Sequence, residues 1–340
     1  MDSKNRRFSI PFSNNIQVDE YLSMIEPYKN NIENIYLGIP ELSNHVSKQN
    51  ALRNYNVDYE QSHDFLDKTK GKYKRLIAYN TISYNMDFYD LFSLFDNTIY
   101  PLIEKYEIDG FIITNLDLAR KLRQDFPKIE LHTSCNCFQW TIRQMETWRE
   151  VAGIDVFNPP REAAKTPSML KEMHDAGFKL KVLVTEACQY GCPHMMTHAC
   201  SVAEDKRLYL NSKCGSYEFS NVFRSNFFQP KWLKYIDEYV DIYKISGRNS
   251  YDYELSPILD AYILGKEFTY IDEISTFGFS NPLAKFKEKD IRIKLSDIPE
   301  KTRYCEAKEC NKTCFMCYDI FDRKYGIPNR DKIISIKNGF

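Results

Sequence analysis

The sequence lacks any apolar run near the roughly 20 residues needed to cross a bilayer. No apolar stretch follows the two arginines of its start, MDSKNRRFSIPF. Neither a membrane span nor a signal peptide is therefore expected, and the chain reads as cytoplasmic. It also lacks an excess of charge of either sign, with 46 Lys and Arg against 47 Asp and Glu. That balance speaks against a strongly electrostatic membrane or nucleic-acid partner, RNA included. Low-complexity tracts, repeats and a disorder signature are missing, and the 43% hydrophobic content is that of an ordinary globular protein. Cysteine is absent from the first 134 residues, yet the chain holds ten. Disulfides are disfavoured in a reducing compartment, and metal ligation is the main alternative.

Eight short β-branched or apolar runs recur along the chain. They are RFSIPFS from Arg7, NIYLGIP from Asn34, KRLIAYN from Lys74, DGFIITN from Asp109, KIELHTS from Lys128, GIDVFNP from Gly153, FKLKVLVTE from Phe178 and DIYKISG from Asp241. Helix-sized gaps between such runs imply βαβ units and a parallel sheet. In the first gap Val18, Tyr21, Leu22 and Ile25 recur at helical spacing. In the sixth, Thr166 is a candidate N-cap, Pro167 suits the first helical turn and Gly177 marks the stop. The expected fold is α/β: a (β/α)8 TIM-type barrel over residues 1–280, with an insertion after the seventh strand. The only good helix in that insertion is WLKYIDEYV. A charged, cysteine-rich C-terminal extension follows over residues 281–340. Barrel enzymes place chemistry at the C-terminal ends of strands. Here those ends carry Asn80, Asn115, His132 with Thr133 and Ser134, Asn158 with Arg161 and Glu162, Glu186, and Arg248. Loops are polar in any case, so the set is better evidence than any one member.

The cysteines cluster. Cys135 and Cys137 form a pair. Cys188, Cys192, Cys200 and Cys214 begin at the end of the seventh run. Cys305, Cys310, Cys314 and Cys317 lie in the extension. Thiolate is a soft ligand that suits iron–sulfur clusters and zinc. Cys188 and Cys192 are spaced C-x3-C, and the terminal quartet reads C-x4-C-x3-C-x2-C. These eight are the candidate metal ligands, enough for two clusters or for one cluster and a zinc. The alternative is a set of buried free thiols, which are common in cores. A radical S-adenosylmethionine enzyme would need a third cysteine where Met195 stands. His194 and His198 share zinc-protease spacing, but HMMTH has no Glu between them.

From Asp109 to about Gly265 the chain resembles the collagenase-like peptidases, peptidase family U32. The likeness is carried by KIELHTSCN, FNPPREAAKTPSML, VLVTEACQYGCP and YKISGRNSYDYELSPILDAYILG. Lys244, Ile245, Gly247 and Arg248 match the family's Lys-Ile-Glu-Gly-Arg strand. Ser246 stands where the family usually has Glu, and Thr185-Glu186 where it usually has His-Gly. The C-x3-C-Pro form resembles a divergent branch with a cysteine-rich tail. The resemblance implies an oxygen-independent hydroxylase with a 4Fe-4S cluster on four cysteines and prephenate as oxygen donor. It also implies a protein partner of the same family, since some members work in pairs.

The residues and the resemblance together give one expectation, iron–sulfur-dependent oxidative modification of an organic substrate. A metal-dependent peptidase and a non-catalytic iron–sulfur partner subunit are its rivals. Glu186, Glu162 and His132 are the candidate catalytic groups, the two glutamates acting as acid–base groups or as salt-bridge partners of nearby cations. Arg161, Lys244, Arg248 and Asn158 are candidate substrate ligands for a small anion. Lys244, Ser246 and Arg248 alternate, so an uninterrupted strand would put them on one face.

Overall fold

All eight runs take part in one parallel β-structure. The computed structural model describes residues 6–45, 58–82, 92–93, 95–186, 188–192, 194–203, 223, 225–248, 250–274, 292–304 and 316–325. Seven runs form strands: β1 Phe8–Pro11, β2 Ile32–Leu37, β3 Arg75–Tyr79, β4 Gly110–Ile113, β5 Glu130–Thr133, β6 Lys181–Leu183 and β7 Ile242–Lys244. Their order is β5-β4-β3-β2-β1-β7-β6. The remaining run, GIDVFNP, closes the ring, His132 of β5 pairing with Val156 and Phe157 with Leu180. Thr133 N–H donates to the Val156 carbonyl at 3.0 Å, and Lys181 N–H to that of Phe157 at 2.8 Å. This run stays a bridge because Asn158 is followed by Pro159 and Pro160, which have no N–H to extend a ladder. The fold is a TIM-type barrel, with helices between its strands.

Strand alternation divides the apolar residues into two sets. Outward side chains such as Ile35, Ile77, Phe111, Leu131, Val182 and Tyr243 pack under the helices in the large core. Inside the barrel a small apolar cluster of Tyr36, Leu76, Ala78 and Ile112 fills the β2–β4 side. The opposite interior is polar: Ser9, Asn34, His132, Lys181 and Lys244 are all buried. Strands β4 and β5 approach so closely that a Cβ on Gly110 would lie 2.3 Å from the Glu130 carbonyl oxygen and 2.8 Å from Leu76 Cδ2.

Local signals fix the helices. Val18–Ile25 buries Val18, Tyr21 and Ile25. Pro167–Asp175 begins with Pro in its first turn, follows Thr166 and buries Leu170 and Met173. Asn115 caps helix Leu116–Asp125 by accepting from Leu118 N–H at 3.0 Å, so this strand-end residue serves the helix. WLKYIDEYV departs from expectation, giving a 3-10 helix over Pro230–Tyr235 rather than an α-helix. Asp237 is drawn away to Arg6, at 2.7 and 2.8 Å, and to the Tyr243 hydroxyl at 2.7 Å. Those bonds compete with continued helical winding.

Described parts of the C-terminal region rest on the barrel. Ile293, Ile298 and Cys317 enter the large core. Gln229 donates to the Leu295 carbonyl, and Arg303 stacks 3.8 Å from the Tyr235 ring centroid. Among the described residues no helix is long and apolar enough to cross a membrane.

Candidate active site

The C-terminal strand ends gather most of the residues singled out from the sequence. Arg161 follows the bridge run Gly153–Pro159 and is mostly buried. Its Nη2 donates to Asn136 Oδ1 at 2.8 Å and its Nη1 to Cys188 Sγ at 3.4 Å, while Glu186 Oε2 lies 3.6 Å from Nη1. Glu186 Oε1 accepts from the Cys188 backbone N–H at 3.2 Å. Cys135 points its thiol toward the same Asn136 oxygen, 3.9 Å away. Residues 135, 136, 161, 186 and 188 thus form one connected group spanning the ends of β5, the bridge run and β6. A guanidinium donor against Cys188 favours its thiolate form.

A second group lies at the end of β7. The strand stops at Lys244, and the chain turns through Gly247 at φ +127°, where an added Cβ would meet Ser250 Oγ at 2.9 Å. The turn breaks the expected alternation. Ser246 goes to Thr185, with an Oγ–Oγ separation of 2.8 Å. Lys244 and Arg248 instead converge on Tyr36, Lys244 Nζ 4.6 Å and Arg248 Cζ 5.9 Å from its ring centroid. Tyr36 is anchored by its hydroxyl donating to the Ile245 carbonyl at 2.6 Å. Arg248 is 5% exposed, and its Nε, Nη1 and Nη2 all lack a hydrogen-bond partner among the described residues. Burial lowers its pKa to about 10. Burial, with Arg248 and Arg161 nearby, lowers that of Lys244 to about 8, against opposing pulls from Cys135 and Glu186.

Other candidates divide. Asn158 is held by Thr133, its Nδ2 donating to the Thr133 carbonyl at 2.9 Å, and its buried Oδ1 is unpartnered. Glu162 was expected to act as an acid–base group or to pair with a cation. It forms no ion pair among the described residues, and both its carboxylate oxygens are buried without a hydrogen bond. Burial raises its pKa, against Arg161 and nearby backbone N–H groups. His132 sits inside the barrel rather than at its mouth. It is fully buried, with Nε2 2.7 Å from Glu130 and Nδ1 2.6 Å from Lys181 Nζ. Burial, then Lys181, drives its pKa down to about 3. Burial, then Lys244, holds Lys181 well below the usual lysine value.

Among the described residues Cys188, Cys192 and Cys200 form no disulfide and are partly exposed, while Cys317 is buried. The chain returns after the helix Met195–Ala203 to pair Gln189 with Ser225, and Asn226 N–H donates to the Cys188 carbonyl at 2.7 Å. The donors are of the right chemistry for a thiolate-held cluster. Among the described residues, however, no three Cys, His, Asp or Glu come within metal-binding reach of one another. Cys214, Cys305, Cys310 and Cys314 lie outside the described residues.

Sequence reasoning passed over Lys181, Tyr36 and Asn136. Lys181 had a signal: in FKLKVLV a lysine sits between Leu180 and Val182, inside an otherwise apolar strand. Tyr36 had none, being one aromatic among many.

The model of peptidase family U32 matches residues 21–189. That span takes in β2 to β6 and Cys188, and leaves Lys244 and Arg248 outside. The uncharacterized protease MJ1657 of Methanocaldococcus jannaschii is 35% identical over 182 residues, covering 49% of this chain and 53% of that protein. The chain thus spans about half the length of that relative. The solved structure of the U32 peptidase Mk0906 superposes with a TM-score of 0.52 at 12% identity, covering 71% of this chain and 93% of the other. That is a likeness of fold.

Proposed function

We propose, from the premise that this chain belongs to peptidase family U32, that its barrel mouth binds a small organic anion and modifies it oxidatively. An iron–sulfur centre anchored by Cys188 and Cys192 would serve that chemistry. The observation that carries the binding half is Arg248: a guanidinium 5% exposed with three unpartnered nitrogens, beside Lys244. Burying a charge without a partner costs several kcal/mol, and an anion offsets that cost by accepting its hydrogen bonds. Asn158 Oδ1, unpartnered and buried, offers an acceptor for a substrate hydroxyl or amide. Glu162, with its raised pKa, suits proton transfer at the mouth.

The redox half is supported by the partly exposed thiols of Cys188 and Cys192 beyond the end of β6 and by the Arg161 donor on Cys188. Two further ligands would come from Cys200, Cys214 and the terminal quartet. Such a cluster supplies one-electron chemistry when bound. Within this reading, prephenate is the proposed oxygen donor and a second protein of the same family the proposed partner. The name of the M. jannaschii relative supports peptide hydrolysis as a second reading. The imidazole expected near the site, His132, is bonded to Glu130 and Lys181 rather than to a nucleophile.

Anaerobically purified protein tests both readings. The proposal expects brown colour, iron and sulfide, all largely lost in Cys188→Ala/Cys192→Ala. A colourless zinc protein that cleaves peptides would overturn it. Arg248→Gln should abolish stabilisation by small carboxylates in a melting assay while leaving the visible spectrum intact.

A further inference from the structure

Lys244 has the environment of a reactive amine rather than of a fixed counter-ion. It is 6% exposed, and no ion pair holds it among the described residues. Its ammonium lies over the Tyr36 ring, to which Arg248 also extends. The ring faces can stabilise a cation but cannot take a proton from it. Of the two carboxylates placed at this mouth, Glu186 is engaged by Arg161, and Glu162 forms no ion pair among the described residues. A desolvated lysine beside other cations is the arrangement that frees an amine for attack on carbonyl carbon. With its pKa lowered to about 8, Lys244 offers far more neutral amine near neutral pH than an ordinary lysine does.

Arg248 supplies the other requirement. Its planar fork, without hydrogen-bond partners among the described residues, suits a carboxylate bound through two parallel N–H···O bonds. Both side chains reach the Tyr36 ring, so a carboxylate held by Arg248 would bring the adjacent carbon of the ligand toward Lys244. We propose that Lys244 captures 2-oxo carboxylates as a Schiff base, with Arg248 holding the carboxylate. This deepens the anion-site reading above and rests on it.

The step is balanced without an oxidant. The neutral Nζ attacks the keto carbon, and the carbonyl π pair moves to oxygen, which takes up the proton that nitrogen releases. The carbinolamine hydroxyl then takes a proton from solvent and leaves as water, while the nitrogen lone pair closes the C=N bond. The product is an iminium on Lys244 and one water. The cationic iminium next to the carbon chain withdraws electrons from it, which activates the neighbouring carbon–hydrogen or carbon–carbon bond. Lys181 is unsuited to the same role, being wholly buried and bonded to His132.

The experiment incubates the purified full chain with pyruvate, reduces with borohydride, and maps the adduct by peptide mass spectrometry. The expected result is one reduced pyruvyl unit on Lys244, blocked when lactate is present in excess. Wild-type mapping does not depend on any variant folding. Lys244→Arg, which keeps the charge but not the nucleophile, should lose the adduct and keep stabilisation by lactate. If lactate stabilises the protein but no adduct forms on Lys244, the Schiff-base proposal is overturned and the anion site stands. If neither lactate nor pyruvate stabilises it, the anion-site reading fails first. Labelling spread over surface lysines, or confined to Lys181, also overturns the proposal.

Discussion

The hydrogen-bonded row from Lys74 at its partly exposed end to the buried Lys181 makes a pH prediction that can be worked through. Lys74 Nζ donates to Glu130 at 2.6 Å, Glu130 bonds His132 Nε2 at 2.7 Å, and His132 Nδ1 meets Lys181 Nζ at 2.6 Å. With Nδ1 accepting from the amine, the ring proton belongs on Nε2, donated to the carboxylate. Protonating Nδ1 would destroy that acceptor and add charge to a dry interior, which is why the pKa falls to about 3. In the unfolded chain the imidazole titrates near 6.5. Its folded-state pKa is depressed, so its contribution is fully present above pH 6.5 and is lost as pH falls toward 3. Between those values the unfolded chain binds one more proton, and stability drops by about 1.4 kcal/mol per pH unit from this group. By pH 4.5 that amounts to about 2–3 kcal/mol. Glu130, whose carboxyl is held well below its usual range by His132 and Lys74 against the opposing effect of burial, adds a loss of the same sign below about pH 4.5. Measurement between pH 6.5 and 4.5 therefore separates the imidazole from Glu130. Urea unfolding of wild type and of His132→Gln across that window should give stability slopes differing by about one proton, even though the variant is weaker at pH 7. Lys181 enters both slopes. Parallel slopes would refute the assigned tautomer and the neutral ring.

Two backbone positions make further predictions. Gly247→Ala must place a side chain at φ +127° against Ser250 Oγ; it should cost about 1–3 kcal/mol and, by shifting Arg248, abolish the thermal response to lactate. Gly110→Ala would force a Cβ to 2.3 Å from the Glu130 carbonyl and part the β4–β5 ladder; a loss above about 3 kcal/mol, read as insoluble or low-melting protein, is expected, and a wild-type melting temperature would show that the interior has slack.

The barrel was legible because each of its eight runs carries an apolar pattern of strand length, and even the Val156–Phe157 run, too short for a full ladder, kept that pattern. WLKYIDEYV was misread because Asp237 is claimed by Arg6, 231 residues away, and by Tyr243. No local window contains Arg6. Arg161, Lys244 and Arg248 were found because cations at strand ends are conspicuous. Their grouping was not: Arg161 belongs with Cys188 and Asn136, and the other two with Tyr36. The alternation of Lys244, Ser246 and Arg248 failed at Gly247, where a positive φ redirects the chain. His132 was placed at the mouth because its strand end could be located only to within a residue or two, the distance that separates the mouth from the interior.

Thr185 and Ser246 close the tips of β6 and β7 with two contacts, Oγ to Oγ at 2.8 Å and Ser246 N–H to Thr185 Oγ1 at 2.8 Å. They are also the two positions where the sequence departs from the His and Glu of the family it resembles. Lying 61 residues apart in the chain, the two departures look independent on paper, yet in space they are a single exchange, a hydroxyl pair standing where an imidazole and a carboxylate would face each other. Restoring Glu alone would press a carboxylate against a threonine in a partly buried tip. Restoring His alone would leave a ring facing a serine too short to reach across. Each single reversion should therefore lose more than the double one, giving a favourable coupling energy in a double-mutant cycle.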